Sequence, residues 1–213
     1  MPRWGSRGSN ASGEGVVRQQ RSEQTRRQLI AAAAELFDRV GFVRATMADI
    51  SSAAGVTKGA LYFHFPSKDT LSDAVQCEAV EMLDILVAGL SAGPSPIQSV
   101  IDLHHQVVRW LREDTIVRAS LRISHDTGGT ADFCTSWLAA TEWLLGKESP
   151  ERAGMAATVL VGLCLGVETL RWNGIRRDDL AAPWELVLPS LVGHDPSGVN
   201  RLSRRGGTSD GRT

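Results

Sequence analysis

One short part of this chain contains a series of helix start and stop signals, which are hydroxyl-bearing residues, a glycine and a proline. These signals limit the fold more than any other feature of the sequence. Thr46, Thr57 and Ser67 each precede a helical run, and each can accept a hydrogen bond from a free backbone N–H group at a helix start. Gly55 can adopt the positive φ of a tight turn, whereas Pro66 prevents a helix from continuing. The segment is therefore predicted to form two short helices, joined by a turn and followed by a longer helix.

Helical periodicity extends over almost all of the chain. Ser22 is a candidate N-cap for a first helix, in which Leu29, Ala33, Phe37 and Val40 recur at helical spacing. The sequence contains no run of alternating β-branched residues and no repeat at a fixed period, so the predicted fold class is all-α. Helices after the short segment are predicted at 67–90, 97–113, 115–124, 133–146, 151–173 and 180–192.

The predicted elements divide into two helical units with a polar segment at each end. Residues 1–21 are rich in Gly, Ser and Arg and are predicted to form a disordered basic arm. Residues 22–68 form a three-helix domain that contains the helix-turn-helix, and residues 69–195 form a larger helical bundle. Residues 196–213 are predicted to form a disordered basic tail.

Charge is distributed unevenly, although the net charge is only −1. Residues 1–70 contain 10 Lys/Arg against 6 Asp/Glu, residues 71–195 contain 9 against 17, and residues 196–213 contain 4 against 1. A basic N-terminal third on an acidic body indicates that one end meets a polyanion. Chance variation of surface charge would give the same pattern, so the charge alone does not decide the function.

Cysteine usage and hydropathy disfavour several classes of protein. Cys77, Cys134 and Cys164 are far apart and odd in number, which disfavours a disulfide framework or a zinc site and favours a reducing cytoplasm. No apolar run is expected to reach the roughly 18–20 residues of a membrane span. No apolar block follows the basic residues near the N-terminus, so a secretory signal is not expected.

Metal, cofactor and enzyme chemistry find no support in the sequence. His104 and His105 are adjacent and therefore point in different directions on a helix, whereas a chelating pair on a helix needs a spacing of four residues. No Ser, Cys or Asp lies in a recognisable nucleophile setting, and no glycine run follows a strand. No metal site, cofactor or enzymatic activity is predicted.

A short helix that follows a glycine turn is the layout of the helix-turn-helix motif, whose second helix inserts its N-terminal turn into the major groove of DNA. Gly59 and Ala60 lack bulk, so the backbone can approach the base edges. Lys58 can donate to guanine N7 and O6, a contact worth about 1–3 kcal/mol of discrimination. Each residue taken singly is commonplace on a helix; the ordered set indicates DNA recognition.

Further polar residues of this segment are candidates for contacts to phosphate, which fix register rather than sequence. Thr46 and Thr57 lie at helix N-termini, where hydroxyl and backbone N–H groups can face phosphates. Phe63 and Phe65 are predicted to be core residues that hold the domain to the following helix. The other candidate phosphate contacts are Tyr62, His64 and Lys68.

The stretch TRRQLIAAAAELFDRVGFVRATMADISSAAGVTKGALYFHFPSKDTL resembles the DNA-binding domain of the TetR family of one-component transcriptional regulators. The similarity covers about residues 22–71 and includes the turn glycine, Tyr62, Phe65 and Lys68. It implies a homodimer in which each all-helical subunit has a reading head for double-stranded DNA and a C-terminal domain that binds a small-molecule effector and dimerises. TKGALYFHFPSK is similar to the γ-butyrolactone receptor branch of antibiotic-producing actinomycetes, and VRASLRIS, followed by Trp137, is similar to it more weakly.

The C-terminal bundle is rich in Leu, Val and Ala and carries five tryptophans, which are Trp110, Trp137, Trp143, Trp172 and Trp184. Their rings can cover an apolar ligand and donate one N–H each, which suits a small lactone or furan with an alkyl chain, although core or interface packing is the more usual role of a single Trp. The resemblance implies that Trp137 covers the ligand. The neighbouring walls are predicted to include Trp110, Leu103, Val107, Leu121, Phe133 and Thr141.

The segment PERAGMAATVLVGLCLGVETLRW is apolar nearly all round, with small residues at Gly154, Ala157, Gly162 and Gly166. Such a helix needs burial on more than one side. We expect it to form a four-helix interface between two subunits, together with the predicted 180–192 helix.

These features lead to the hypothesis of a repressor that binds a palindromic operator as a dimer and is released by a γ-butyrolactone or a related lactone or furan. The effector would change the spacing of the two heads through the helix that follows Ser67. One alternative is a regulator of the same fold that answers an antibiotic intermediate or another amphiphile, or a pseudo-receptor without a γ-butyrolactone ligand. The other is a small helical enzyme or an interaction module with an incidental helix-turn-helix.

Overall fold

The computed structural model describes residues 11–93, 95–128, 132–147 and 150–174. Over these residues the chain forms eight α-helices and no β-strand, which confirms the all-α fold class. The predicted 180–192 helix, the predicted 196–213 tail and Trp184 lie outside the described residues. The helices are α1 (Ala11–Val40), α2 (Met47–Ala53), α3 (Lys58–His64), α4 (Lys68–Ser91), α5 (Pro96–Glu113), α6 (Thr115–Thr127), α7 (Asp132–Gly146) and α8 (Ala153–Trp172).

The first helix begins earlier than predicted. α1 runs unbroken from Ala11, so Ser22 lies in its interior and is not its N-cap, and the predicted arm is helical from residue 11 onward. This part of α1 contains helix-forming Glu, Arg and Gln residues and no proline. Gly13 and Gly15 weaken such a helix without ending it, because only proline also removes a backbone donor.

The predicted start and stop signals of the next three helices are confirmed. The side chains of Thr46, Thr57 and Ser67 cap α2, α3 and α4, and each accepts a hydrogen bond from the backbone N–H group three residues ahead. Gly55 adopts a φ of 67° between α2 and α3, and α3 ends before Pro66. These local signals produce a helix-turn-helix docked on α1.

Two apolar clusters of buried side chains organise the helices. We call the first the head cluster; it includes Leu29, Phe37, Ile50, Leu61 and Phe65. We call the second the sensor cluster; it includes Leu83, Leu103, Val107, Phe133 and Trp137. α4 contributes to both, because its Leu71 and Val75 belong to the head cluster and its Ala79 and Leu83 to the sensor cluster.

α6 also packs on both clusters and is bonded to the end of α1 at two points. Its Arg118 Nη2 donates to Asp38 Oδ2 at 2.9 Å, and its Asp126 Oδ2 accepts from the backbone N–H of Phe42 at 2.8 Å. Gly41 adopts a φ of 87°, and a Cβ placed there would lie 2.6 Å from Asp126 Oδ2. Glycine is therefore required where α1 turns beneath α6.

α8 is more apolar than predicted. Residues Ala153–Leu170 have a mean hydropathy of 1.8 and are long and apolar enough to cross a membrane, judged by length and composition alone. Core helices of soluble proteins pass the same test, and 44% of this window is buried. Glu168 of α8 is also buried and accepts hydrogen bonds from Arg112 of α5 at 2.6 and 2.8 Å. We therefore interpret α8 as a core helix that packs on α5 and α7.

Candidate nucleic-acid interface and effector site

The outward face of α3 carries four exposed residues, Lys58, Gly59, Tyr62 and Phe63. The opposite face holds the predicted core, because Leu61 and Phe65 are buried and lie four residues apart. Ala60 and His64 are half-buried at the borders between the two faces. Of the eight predicted DNA-contacting residues, the structure therefore brings three onto this face and two to its borders.

Phe63 is not a core residue, and that prediction is wrong. Its side chain is 81% exposed. The physical reason is helical phase: Phe63 lies two residues from Leu61, which is about 200° around the helix, whereas Phe65 returns to the buried side. An exposed ring on this face can contact a thymine methyl group, so Phe63 is a candidate base contact that only the phase of α3 reveals.

Gly59 leaves the centre of this face open. A Cβ placed at Gly59 would meet only Thr57 Oγ1, at 4.0 Å, within the described part of the chain. The head itself therefore has room for a larger side chain at this position. A missing side chain beside Lys58 and Phe63 instead makes the backbone of α3 accessible from outside.

Thr46 and Thr57 are both exposed at helix starts, but their surroundings differ. Thr46 Oγ1 donates to Asp49 Oδ2 at 2.6 Å, so its hydroxyl proton is engaged and a carboxylate lies beside it. That negative charge disfavours an approaching phosphate at the start of α2. Thr57 Oγ1 accepts from the N–H of Ala60 at 3.2 Å, which leaves its own hydroxyl proton for an outside acceptor.

Lys68 has an internal role in place of the predicted phosphate contact. Its Nζ donates to the carbonyl oxygen of Phe42 at 2.8 Å and to that of Ala45 at 3.1 Å, with Val43 O at 3.4 Å. The ammonium also lies 4.4 Å from the centroid of the Phe42 ring. Because a lysine has three N–H donors, these contacts occupy it, and Lys68 fixes the start of α4 against the α1–α2 corner.

The residues predicted to line an effector site come together in the sensor cluster. Trp137 is 0% exposed, and among the described residues its Nε1–H has no hydrogen-bond acceptor. Thr141 is buried one turn further along α7 and donates to the carbonyl oxygen of Trp137 at 2.8 Å. Leu103, Val107 and Phe133 are fully buried in the cluster, and Trp110 and Leu121 pack against it half-buried.

Two buried polar residues beside this group were not predicted. The ring of His104 lies 5.2 Å from that of Trp137, and its Nδ1–H donates to the carbonyl oxygen of Val100 at 2.9 Å. Burial lowers the pKa of His104 to about 4, so the ring is neutral at physiological pH. Ser120 of α6 is also fully buried. The sequence did contain a signal for the burial of His104, because this residue falls on the same helical face as Val100, Val107 and Val108.

The other tryptophans of the bundle have different environments. Trp143 is 52% exposed on α7, and the Nζ of Lys147 lies 3.9 Å from its ring centroid. The side chain of Trp172 lies outside the described part of the structure. Among the tryptophans whose side chains the structure describes, Trp137 is the one whose buried N–H group has no acceptor there.

Two sensor thiols, those of Cys134 and Cys164, show no activation. Burial raises the pKa of Cys134 to about 11, and burial together with nearby Glu168 raises that of Cys164 to about 12. Both stay protonated at neutral pH and are poor nucleophiles. No group of three metal-binding side chains occurs in the parts of the chain that the structure describes.

One face of α8 is apolar and exposed along its whole length. Met155, Val159 and Leu170 are exposed there, and Gly162 and Gly166 lie between them on the same face. A Cβ placed at either glycine would meet no described atom within 4 Å. This face, which we call the α8 stripe, is mainly apolar, and the exposed hydroxyls of Thr158 and Thr169 at its edge donate to carbonyl groups of α8 itself.

Known proteins match this chain in both its sequence and its fold. A family model described as bacterial regulatory proteins, tetR family, matches residues 29–75. The A-factor receptor protein of Streptomyces griseus is 33% identical in an alignment of 191 positions that covers 83% of this chain and 67% of that protein.

Solved structures match over a similar extent. A γ-butyrolactone receptor described as ArpA-like superimposes with a TM-score of 0.70 at 28% identity, covering 86% of this chain and 98% of the other. CprB from Streptomyces coelicolor, solved in complex with its biological operator sequence, gives a TM-score of 0.70 at 28% identity, with coverages of 86% and 94%. Because these similarities extend through the sensor cluster as well as the helix-turn-helix, the chain belongs to the TetR family of ligand-responsive transcriptional repressors and is not an enzyme.

Proposed function

We propose that this chain is a cytoplasmic repressor that binds a palindromic operator as a homodimer and is released by a γ-butyrolactone or a related lactone or furan. The observation that carries the proposal is the buried Trp137, whose N–H group has no acceptor among the described residues. The similarity to the A-factor receptor and to γ-butyrolactone receptors supports the class of effector. The operator complex of CprB supports the DNA partner.

The outward face of α3 supports major-groove recognition. Lys58 provides a donor for guanine N7 and O6, Phe63 an apolar contact for a thymine methyl group, and Tyr62 a hydroxyl for a phosphate. Thr57 and the open backbone at Gly59 allow close approach. Two such heads in one dimer would occupy successive major grooves, about 34–36 Å apart, and a palindromic operator would match the two-fold symmetry of the dimer.

The α8 stripe supports the homodimer. An exposed apolar face that runs the length of a helix is disfavoured in water and marks an interaction surface. Gly162 and Gly166 would allow a partner helix to approach closely, and Met155, Val159 and Leu170 would be buried by it. A second copy of α8 satisfies these requirements in a symmetric interface.

The environment of Trp137 supports an uncharged effector. A buried N–H group without an acceptor is unfavourable by about 1–3 kcal/mol, and a ligand carbonyl or ring oxygen would remove this cost. The surrounding Leu103, Val107 and Phe133 would cover an alkyl chain. The ring of His104 beside Trp137 is neutral and therefore offers no counter-ion to a carboxylate.

Release requires that the sensor move the head, and α4 and α6 connect the two. Both helices contribute side chains to both apolar clusters, and α6 is bonded to Asp38 and Phe42 of the head. An effector that separates these helices would change the distance between the two reading heads. To relieve repression about 100-fold, the effector must favour the released form by about 2.7 kcal/mol.

Substitution of Lys58 by alanine tests the reading face. We expect Lys58→Ala to weaken binding to the operator about fivefold or more, and to reduce the preference for guanine at one position of each half-site, because a bidentate contact is worth about 1–3 kcal/mol. The measurement is a mobility-shift titration against duplexes recovered from a random-sequence pool by the wild-type protein. Lys147→Ala, which removes an exposed lysine from the sensor, is the matched control and is expected to bind as wild type.

Two results would contradict this part of the proposal. Failure of the wild-type protein to enrich any palindromic duplex would remove the repressor function itself. Equal affinity and base preference in Lys58→Ala and Lys147→Ala would show that α3 is not the reading helix.

Substitution of Trp137 by phenylalanine tests the effector site. The change keeps an aromatic ring but removes the N–H donor together with part of the buried indole, so we expect operator binding to be kept with some loss of stability. The concentration of an alkyl-substituted γ-butyrolactone needed to release the operator is expected to rise about tenfold, because one buried hydrogen bond contributes roughly 1–1.5 kcal/mol. The measurement is a titration of the lactone into the protein–operator complex.

Trp143→Phe is the matched control, because Trp143 lies on the same helix but is exposed. It is expected to respond to the lactone as wild type does. If the two variants need the same lactone concentration, Trp137 does not contact the effector. If wild-type protein is not released by any lactone or furan, the effector belongs to another chemical class.

A further inference from the structure

The N-terminal part of α1 extends beyond the head, and its side chains from residue 15 to residue 21 are exposed. α1 enters the head cluster at Leu29, whereas every residue from Gly15 to Arg21 is exposed. Val16 and Val17 are among the exposed apolar residues of the structure. We call residues 11–22 the α1 extension.

Three contacts along α1 establish the direction in which the extension points. Asp38 and Phe42, at the C-terminal end, are bonded to α6 on the sensor side. Arg26, about 18 Å nearer the N-terminus at 1.5 Å per residue, lies over the ring of Phe65 at the end of α3, with 5.5 Å between the guanidinium carbon and the ring centroid. The helix therefore passes from the sensor to the recognition helix, and the extension continues away from the sensor by a further 22 Å or so to Ala11.

The charge of this segment matches a polyanion. Residues 11–28 contain four arginines and two glutamates. Glu23 lies 3.5 Å from Arg27 in an exposed pair, whereas no ion pair involves Arg18 or Arg21 within the described residues. Arg18 and Arg21 are three residues apart, so both guanidinium groups lie on one side of the helix.

We propose that the α1 extension lies along the operator outside each half-site and that Arg18 and Arg21 contact its phosphates. This inference rests on the proposed operator binding, because it assumes that α3 faces the duplex. The extension then enlarges the contact with DNA without reading any base, and the gain in affinity depends on salt and on the length of the flanking duplex.

The test compares the full-length double variant Arg18→Gln/Arg21→Gln with the wild-type protein on one selected operator, with short flanks and with flanks longer by one helical turn. Each phosphate contact contributes about 0.9 to the slope of log Kobs against log salt. Four arginines in a dimer are therefore expected to make the wild-type slope steeper by up to about 3.6, and only the wild-type protein should gain affinity from longer flanks. Arg109→Gln/Arg152→Gln, which removes two exposed arginines from the sensor, is the matched control and should behave as wild type.

The outcomes separate this inference from the function on which it rests. If the wild-type protein binds the operator and the double variant shows the same slope and the same indifference to flank length, the α1 extension does not contact DNA. If no selected duplex is retarded by the wild-type protein, both proposals fail. If Val16→Ser/Val17→Ser lowers the assembly state of the free protein in sedimentation while the arginine variant keeps the wild-type slope, the extension binds a second copy of the chain instead.

Discussion

Replacement of Val159 by arginine is expected to separate the proposed homodimer and to weaken operator binding by about 10²–10⁴-fold. Val159 lies in the middle of the α8 stripe, so a two-fold interface would bury the new charge twice, without an acidic partner on the stripe. The operator affinity of a dimer exceeds that of one head because the second head binds intramolecularly, at an effective concentration near the millimolar range. Loss of that advantage accounts for the expected range. Sedimentation of the free protein and mobility shift of the operator complex measure the two effects.

Ile85→Arg is the matched control, because Ile85 is another exposed β-branched residue on a sensor helix, α4, away from the stripe. It is expected to remain dimeric and to bind as wild type. A Val159→Arg protein that sediments as a dimer at micromolar concentration would exclude the α8 stripe as the interface. A monomer that keeps full operator affinity would show that the two heads do not act together.

Replacement of Arg112 by methionine is expected to lower the free energy of unfolding by about 3–5 kcal/mol. Glu168 is only 1% exposed and accepts two hydrogen bonds from Arg112, whose side chain is 24% exposed. Removal of the cation leaves a buried carboxylate without this partner, which is far less favourable than loss of the whole pair. In a protein of this size the change corresponds to a fall of roughly 6–20 °C in Tm, measured by circular dichroism at fixed protein concentration.

Two further variants make this prediction specific. Arg27→Met removes an exposed pair with Glu23, in which the side chains are 77% and 51% exposed, and is expected to change stability by less than about 1 kcal/mol. Arg112→Met/Glu168→Leu replaces the buried pair by apolar side chains and is expected to recover most of the lost stability. Equal melting of Arg112→Met and Arg27→Met would contradict the assignment of a buried ion pair between α5 and α8.

The head was predictable because its signals are local. A cap such as Thr57 acts on a backbone group three residues away, and the turn at Gly55 depends on one φ angle, so both can be recognised within a few positions of the sequence. The same locality accounts for the error at Phe63. A hydrophobic residue was assigned to the core by its type, whereas the phase relative to Leu61 and Phe65 places it outside.

The contacts that join distant segments were not predictable from such signals. Lys68 bonds to carbonyl groups 23 to 26 residues earlier, and Arg118 pairs with Asp38 across 80 residues. A single sequence carries no local pattern for either contact. A lysine or arginine that bonds to a distant segment cannot be distinguished in the sequence from one that is solvated at the surface. Family resemblance predicted that Trp137 covers the effector, but neither the resemblance nor periodicity predicted that its ring is fully buried.

Two polar contacts join α6 to the end of α1, and they limit how such regulators can diversify. The proposed reading face of α3 and the cluster that surrounds Trp137 share no side chain, so gene duplication can alter operator choice and signal choice separately. Recombination between paralogues is more restricted. A head that is recombined with another sensor must keep an acidic residue at the position of Asp38 and a glycine at that of Gly41. Without them the head would be oriented differently on the sensor, and effector binding would no longer change operator binding.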